Sequence, residues 1–291
     1  MILRITCAVI ASMWLISDAV AGPETVYFRS ADGTTELVGY LFRPKAAGPW
    51  PAIVMLHGRG GPYSSNVNDD CTFVAPGAAS PCNAATLSRR HAMWGQYWAD
   101  RGYLALLPDS FGPRGKAHGF GRFTHDDPER ADVNEKTVRP LDAEGALAYL
   151  HGRNDVIGSQ IFLQGWSNGG STALNVMIRQ GTKPASYGGA LVLYPGCGPA
   201  ALLQPVIPAT APIALFLGTH DEEVSPLICQ QVADRSRRAG ARIDLSAYPG
   251  ATHDFDDPSP RHRSVPGNQA AMNDVLEKAI ALVARWKNSG G

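Results

Sequence analysis

Three side chains have the residue types and the chain order that nucleophilic attack on a carbonyl carbon requires. Ser167 lies in the pattern Gly165-Trp166-Ser167-Asn168-Gly169, and Asp221 and His253 follow it. A serine hydroxyl is a poor nucleophile at neutral pH, so it needs a base, usually an imidazole that a carboxylate orients. The sequence therefore predicts Ser167 as the nucleophile, His253 as the base and Asp221 as the acid that orients the base.

Neighbouring residues compete for two of these roles. Glu222 and Glu223 are alternatives for the acid, because a shift of one or two residues within a loop is not fixed by sequence alone. His262 is an alternative for the base. His220 precedes the predicted acid, and we expect it to face solvent or to pack against the loop.

The residues around Ser167 predict a sharp turn from a strand into a helix. An apolar strand starts at Ile161, and a helix is predicted over 171–180, with Gly181 ending it. Close approach of a strand and a helix leaves no room for side chains two residues either side of the turn. Gly165 and Gly169 meet this demand, so the Ser167 hydroxyl should project at the positive end of the helix dipole.

Two backbone N–H groups should stabilise the negative charge that develops on a carbonyl oxygen. One is predicted to be the amide of Asn168, directly after the nucleophile. The other should come from the segment His57-Gly58-Arg59-Gly60-Gly61, which follows an apolar run over 51–56. Arg59 is the favoured donor and Gly60 the alternative, whereas His57 is expected to hold the loop.

The start of the chain has the features of a secretory signal peptide. Arg4 precedes an apolar run over 5–16, and the small residues Ala19-Val20-Ala21 form a cleavage pattern before Gly22. We therefore predict a signal peptide over 1–21, export of the protein, and one domain over 22–291. The 26 Lys and Arg residues equal the 26 Asp and Glu residues in number, without long blocks of one sign. This balance argues against a nucleic-acid or membrane partner, and the oligomeric state is left open.

The cysteines outside the predicted signal peptide are expected to form two disulfides. Cys71 and Cys82 lie in the same polar insert, and Cys197 and Cys229 lie near neighbouring strands. We therefore expect the pairs Cys71–Cys82 and Cys197–Cys229. The cysteine spacings match no common zinc pattern, so neither a metal nor a cofactor is predicted.

Strands and helices alternate along the chain, which predicts an α/β fold with a mostly parallel sheet covered by helices on both faces. Strands are expected at 25–30, 36–42, 51–56 and 103–107, then from 161, and at 190–194, 213–217 and 242–248. Helices are expected at 91–101, 140–151, 171–180 and 226–239. A loop over 249–268 then leads to a last helix that ends at 286. The chemically dense segments follow the carboxyl ends of these strands, where α/β sheets bind their ligands.

With these elements in place, the chain resembles the dienelactone hydrolase family of α/β-hydrolases. The resemblance rests on Leu56-His57-Gly58-Arg59-Gly60-Gly61, Leu107-Pro108-Asp109-Ser110-Phe111-Gly112, Gly165-Trp166-Ser167-Asn168-Gly169-Gly170, Leu217-Gly218-Thr219-His220-Asp221 and His253. It implies the α/β-hydrolase fold and an ester-hydrolysing site. The family's namesakes use a cysteine nucleophile where this chain has Ser167, so the chain looks more like the exported serine members. The Gly-Trp-Ser-x-Gly-Gly turn is also similar to that of secreted polyester and cutinase-like hydrolases.

The predicted function is hydrolysis of small carboxylic esters through an acyl-enzyme. A peptidase or acyltransferase with the same triad is the alternative, followed by a catalytically inactive binding protein. The candidate pocket walls come from the loop after the strand at 103–107: Phe111, Arg114, His118, Phe120, Arg122 and His125. Arg114 or Arg122 is a candidate for holding a substrate carboxylate by two parallel hydrogen bonds.

Overall fold

The computed structural model describes residues 22–67, 70–124, 126–181, 186–208 and 211–289. The predicted signal peptide over 1–21 lies outside these ranges. Within them, no helix combines the length and the apolar character needed to cross a membrane.

In the described part of the chain, eight strands form one sheet, and six α-helices flank or cap it. The strands are β1 (Glu24–Arg29), β2 (Glu36–Phe42), β3 (Trp50–Leu56), β4 (Leu104–Asp109), β5 (Val156–Trp166), β6 (Ala190–Leu193), β7 (Ile213–Gly218) and β8 (Ile243–Tyr248). The helices are α1 (Arg89–Ala99), α2 (Arg139–His151), α3 (Asn168–Gln180), α4 (Pro226–Arg238), α5 (Pro260–Arg263) and α6 (Pro266–Ser289).

The strand order is β1-β2-β4-β3-β5-β6-β7-β8. β2 pairs antiparallel with both β1 and β4, and the pairs from β4 through β8 are parallel. The prediction of a mostly parallel sheet is therefore confirmed. Its carboxyl edge carries the loops that follow β3, β4, β5, β6, β7 and β8.

The two faces of the sheet are covered by two separate apolar clusters. In β3, Ala52 and Val54 belong to the cluster shared with α2, α3 and α4, and Ile53 and Met55 belong to the one shared with α1 and α6. Successive side chains of a strand point to opposite faces. A strand buried on both faces therefore reads as a continuous apolar run, which is how the sequence predicted β3.

Most boundaries lie within two or three residues of the sequence prediction, and the differences in β5, α5 and α3 are the informative ones. β5 begins at Val156, several residues before Ile161, and α5 lies within a segment that was predicted to be loop. α3 begins at Asn168 instead of 171. Gly169 and Gly170 are poor helix formers, but a methyl group at Gly169 would clash with the carbonyl oxygen of Leu56. Tertiary packing therefore overrides helix propensity here.

Among the described residues, disulfides join Cys71 to Cys82 and Cys197 to Cys229, which are the expected pairs. Cys197 lies in the loop after β6, and Cys229 lies on α4. The second bridge therefore spans the segment that contains Asp221.

Candidate active site

Ser167 occupies a strained turn between β5 and α3. Its φ is 50° and its ψ is −116°, a combination that residues with a side chain rarely adopt. The Ser167 amide donates to the Leu193 carbonyl at 3.0 Å, and the Ser167 carbonyl accepts from the Ser171 amide at 2.9 Å. These bonds and the two flanking glycines hold the hydroxyl at the amino end of α3.

The structure brings Ser167, His253 and Asp221 into one hydrogen-bonded chain. His253 Nδ1 lies 2.8 Å from Asp221 Oδ2, and His253 Nε2 lies 3.0 Å from Ser167 Oγ. A carboxylate only accepts, so Nδ1 carries the proton and Nε2 is free to accept from the serine hydroxyl. Ser167 comes from the end of β5, Asp221 follows β7 and His253 follows β8.

Asp221 is the carboxylate that faces Nδ1 of the ring. Its Oδ1 accepts from the amides of Glu223 and Val224, both at 2.9 Å, which leaves Oδ2 for His253. Glu222 Oε2 instead accepts from the backbone amide of His253 at 3.1 Å. The two glutamates that competed for the role of acid therefore do not contact Nδ1.

The other two histidines considered near the site lie apart from Ser167. His262 Nδ1 lies 3.0 Å from Ser259 Oγ and 3.8 Å from Asp257. His220 is exposed, and its amide donates to the Ala251 carbonyl. Neither imidazole replaces His253 at the serine.

The pKa of His253 is raised above its usual value. Burial of the ring opposes protonation, but the hydrogen bond to Asp221 and the negative charges of Asp254, Asp221 and Glu223 outweigh it. An imidazole with a raised pKa is a stronger base, and its neutral form predominates only at higher pH.

Glu223 lies on the opposite side of the ring from Asp221. Its carboxylate is 3.8 Å from His253 Nε2, and its side chain is only 6% exposed. Arg59 donates to it from Nε at 3.0 Å and from Nη2 at 2.9 Å, and Arg122 Nε lies 2.6 Å away. This two-oxygen clamp joins the loop after β3 to the loop after β7.

The loop after β3 passes close to the nucleophile. The Gly61 amide donates to the Gly58 carbonyl at 3.2 Å, so Arg59 and Gly60 form the tip of a turn. The Phe120 amide donates to the Arg59 carbonyl at 2.9 Å, and Arg59 Nη1 donates to the Phe120 carbonyl at 2.9 Å. The residues proposed as the second oxyanion donor are therefore held from two sides.

Arg139 is a site residue that the sequence analysis missed. Its side chain is fully buried, Nη2 donates to the His57 carbonyl at 2.7 Å, and Nη1 donates to the Asn168 side chain. The Asn168 amide group in turn donates to Glu135 at 2.7 Å. Arg139 thus links the two segments that carry the proposed oxyanion donors. Nothing in the pattern around an arginine at a helix start indicates such a role.

His57 has the structural role that the sequence suggested. Its Nε2 accepts from the Ser110 amide at 3.2 Å, so Nδ1 donates to the Gly58 carbonyl at 2.8 Å. Burial, followed by the positive charge of Arg139, holds the pKa of His57 well below its usual value. The ring therefore stays neutral and fixes the turn.

Two cavities flank Ser167. One of about 260 Å³ runs toward the Cys197–Cys229 disulfide, and one of about 300 Å³ runs toward Asp254 and α1. The loop after β4 contributes to both, through Arg130 in the first and Phe120 in the second.

The other candidate pocket residues of that loop lie elsewhere. Phe111 is buried against His57 and Phe120. Arg114 donates to Asp142 at 2.8 and 2.9 Å, and it pairs with Asp32 at 3.1 Å. Its guanidinium therefore joins α2 to the turn after β1. The expectation that Arg114 faces a substrate carboxylate does not match the structure.

The remaining candidates for the pocket wall are Arg122, His118 and His125. Arg122 is 38% exposed and is held by Glu222 and Glu223. The His118 ring lies 6.3 Å from that of Phe120, and His125 falls outside the described residues.

Three possible metal ligands converge beside the serine. Atoms of Glu223, His253 and Asp254 lie within 4.8 Å of one another. Both ring nitrogens of His253 are already engaged, and two arginine side chains hold Glu223. This donor set does not favour a divalent cation.

Comparisons with solved structures agree with this fold. A putative dienelactone hydrolase from Klebsiella pneumoniae is 17% identical with a TM-score of 0.67, covering 90% of this chain and 99% of that chain. A dienelactone hydrolase-like promiscuous phosphotriesterase from metagenomic libraries is 19% identical with a TM-score of 0.64, covering 91% and 99%. Esterase 2 of Thermogutta terrifontis is 18% identical with a TM-score of 0.61, covering 93% and 97%.

These likenesses show the α/β-hydrolase fold. The search among curated proteins returned no match. The sequence model of the dienelactone hydrolase family matches residues 88–286. Because this match spans more than half of the 291 residues, the chain belongs to the dienelactone hydrolase family.

Proposed function

We propose that the protein is an exported serine esterase that hydrolyses carboxylic esters through an acyl-enzyme. Membership of the family supports a hydrolase activity. The observation that carries the finer proposal is the chain from Ser167 Oγ through His253 to Asp221, with links of 3.0 and 2.8 Å. A hydroxyl in hydrogen-bond contact with an oriented imidazole is an activated nucleophile.

In the first half of the reaction, His253 Nε2 takes the proton of Ser167 while Oγ attacks the ester carbonyl carbon. The carbonyl oxygen becomes an oxyanion, which the amides of Asn168 and Arg59 would stabilise. His253 then gives its proton to the leaving alkoxide, and the alcohol departs from the acyl-enzyme. Asp221 holds the ring and stabilises the imidazolium without taking the proton.

In the second half, water replaces the alcohol. His253 takes one proton from the water, whose oxygen attacks the acyl carbon. The new oxyanion collapses, His253 returns the proton to Ser167 Oγ, and the carboxylic acid leaves. The enzyme ends in the state in which it began.

Export is part of the proposal. It is supported by the signal-peptide pattern over 1–21 and by the two disulfides, which persist in oxidising compartments. Secretion of the full chain from a bacterial host, with the mature protein beginning at Gly22, is the expected outcome. An intact cytosolic product would contradict it.

A matched panel tests the reaction class. The assay uses the protein over residues 22–291, with and without an added alcohol as acyl acceptor. Its substrates are short-chain esters, the corresponding amides and peptide anilides. We expect ester hydrolysis to exceed amide cleavage by several orders of magnitude. Faster cleavage of peptides would favour the peptidase alternative. Transfer of the acyl group to the added alcohol would favour the acyltransferase, and the absence of turnover would favour a binding protein.

A further inference from the structure

The two cavities at Ser167 have walls of opposite character. Ser167 and Arg59 line both of them, so the nucleophile stands where the cavities meet. Asn168 lines only the first cavity, and His253 lines only the second. The two cavities therefore face different sides of a bound carbonyl group.

Small and apolar groups form about half of the wall of the first cavity, which Arg59, Arg130, Glu135 and Glu223 also line. The small and apolar groups are Gly196, Cys197, Gly198, Ala200, Ala201, Val224 and Ile228. The carboxylates on its wall are already paired, because Glu135 accepts from Asn168 and Glu223 accepts from Arg59. Its free surface suits an apolar chain.

The second cavity has a polar and negatively charged wall. Arg90 lies between Asp254 at 2.8 Å and Asp257 at 3.2 Å, and these two carboxylates are 23% and 24% exposed. Burial opposes their ionisation, but the charge of Arg90 outweighs it and lowers the pKa of both. The fully buried Asp256 lies 3.6 Å from Arg90 Nε, so three carboxylates surround this guanidinium, while the charge of Arg59 on the same cavity is paired with Glu223. The surroundings of Arg90 therefore carry excess negative charge and offer carboxylate oxygens as acceptors.

A buried histidine lines the same wall. His91 lines the second cavity and is 3% exposed, and its Nδ1 donates to the Pro62 carbonyl at 3.0 Å. Burial, followed by the charge of Arg90, lowers the pKa of His91 to about 4, so the ring is neutral at pH 7. Its Nε2 is buried and has no hydrogen-bond partner among the described residues.

The chemistry decides which part of the ester enters which cavity. The leaving alkoxide must receive its proton from His253 Nε2, so the alcohol part has to lie on the side that His253 lines. The acyl part then lies on the other side of the carbonyl carbon. We propose that the substrates are esters of a short apolar acid with a hydroxyl-bearing alcohol, the acyl chain occupying the first cavity and the alcohol the second. This assignment rests on the proposed esterase function.

Two kinds of selectivity follow. Hydroxyl groups of the alcohol donate to the acceptors around Arg90, whereas an alcohol that carries a carboxylate is repelled by Asp254 and Asp257. Lengthening the acyl chain from acetate toward butyrate should raise kcat/KM by up to about fourfold per methylene, until the first cavity is full.

The experiment crosses an acyl series with an alcohol series. The acyl series is the glycerol monoacetate, monobutyrate and monohexanoate. The alcohol series is the butyrate ester of glycerol, of butanol, of 2-aminoethanol and of 3-hydroxypropanoate. For the unaltered protein we expect kcat/KM for the glycerol ester to exceed that for the butanol ester about fivefold and that for the 3-hydroxypropanoate ester more than tenfold. A preference for the carboxylate-bearing or the butanol ester would overturn the assignment without any variant, and a clear preference for the aminoethanol ester would replace the hydroxyl-bearing class by a cationic one.

Two variants separate the cavities. Ile228→Trp should lower kcat/KM for the hexanoate relative to the acetate about tenfold and leave the alcohol ratios unchanged, because Ile228 lines only the first cavity. Asp257→Asn should lower the glycerol-to-butanol ratio and leave the acyl ratios unchanged. Leu227→Trp and Asp234→Asn, at exposed positions outside both cavities, are the matched controls.

The opposite pattern refutes the assignment. If Ile228→Trp changed the alcohol ratios, or Asp257→Asn the acyl ratios, the two parts of the ester would be exchanged between the cavities. If no ester in either series were hydrolysed, the proposed function itself would fail, which is a different result.

Discussion

Removing the negative charge of Glu223 should shift the pH dependence of the reaction. Glu223 is one of the groups that raise the pKa of His253, and its carboxylate lies 3.8 Å from His253 Nε2. Glu223→Gln keeps the size of the side chain and an oxygen that can accept from Arg59. The variant therefore removes a charge while preserving most of the clamp.

The geometry sets the size of the effect. Two unit charges about 4 Å apart interact by roughly 1 kcal/mol in bulk water and roughly 4 kcal/mol near a protein surface. One pKa unit corresponds to about 1.4 kcal/mol, so the pKa of His253 should fall by about 1 to 3 units. Arg59 and Arg122 stay in place, and their positive charges act in the same direction.

The assay is kcat/KM between pH 5 and 9, measured by acid titration with a butyrate ester. The imidazole must be neutral to act as the base, so activity rises with pH through the pKa of His253 in the free enzyme. That midpoint should lie above about 6.5 in the unaltered protein and move down in Glu223→Gln. The plateau also falls, because the imidazole becomes a weaker base.

Glu222→Gln is the matched control. Glu222 contacts the backbone amide of His253, and its charge is not among the main causes that raise the pKa of the ring. The midpoint of the pH profile of Glu222→Gln should stay within about 0.3 pH units of that of the unaltered protein. An unchanged or raised midpoint in Glu223→Gln, or an equal shift in both variants, would refute the reasoning.

Three further predictions concern the groups that position the reacting atoms. Asp221→Asn should lower kcat by about 10⁴ with little change in KM, because the wrong tautomer of His253 would then face Ser167; a loss below tenfold would show that another acid orients the ring. Arg139→Met should reduce kcat at least tenfold and also lower the melting temperature, since Asn168 and the loop after β3 both lose a donor; unchanged kcat in the folded variant would contradict its positioning role. In the chain-entropy model, Cys197→Ala/Cys229→Ala should cost about 3–4 kcal/mol of unfolding free energy, because the bridge closes a separation of 32 residues. If the bridge also holds the loop of Asp221, turnover of this variant should be lowered even when it is measured well below the melting temperature of the variant. Full activity at such a temperature would show that the bridge contributes to stability alone.

Sequence alone was sufficient to predict that Ser167, Asp221 and His253 lie close together, because each follows the end of a strand within a few residues. The carboxyl ends of parallel strands share one edge, so the residues after β5, β7 and β8 converge whatever the details of the loops. The same argument placed the turn at 57–61 beside Ser167. Glycines at 165 and 169 were informative because strand and helix approach there too closely for a side chain.

The supporting groups could not be predicted in this way. Arg114 and Arg139 are both arginines near the same segment, but one joins Asp142 and Asp32 while the other holds Asn168. Which partner a long side chain reaches depends on the path of several loops, and residue type carries no information about it. Glu223 was considered as an acid from its position, whereas its side chain lies by the opposite ring nitrogen.

Covalent labelling tests the central claim most directly. The protein would be treated with a fluorophosphonate, and its intact mass and peptide map compared with those of Ser167→Ala, with circular dichroism as the check on folding. We predict one adduct per chain, located on Ser167, with loss of ester turnover in proportion to labelling; Ser167→Ala should take up no label and lose several orders of magnitude in kcat. A folded Ser167→Ala protein that kept a tenth of the rate, or a label on another residue, would contradict the account.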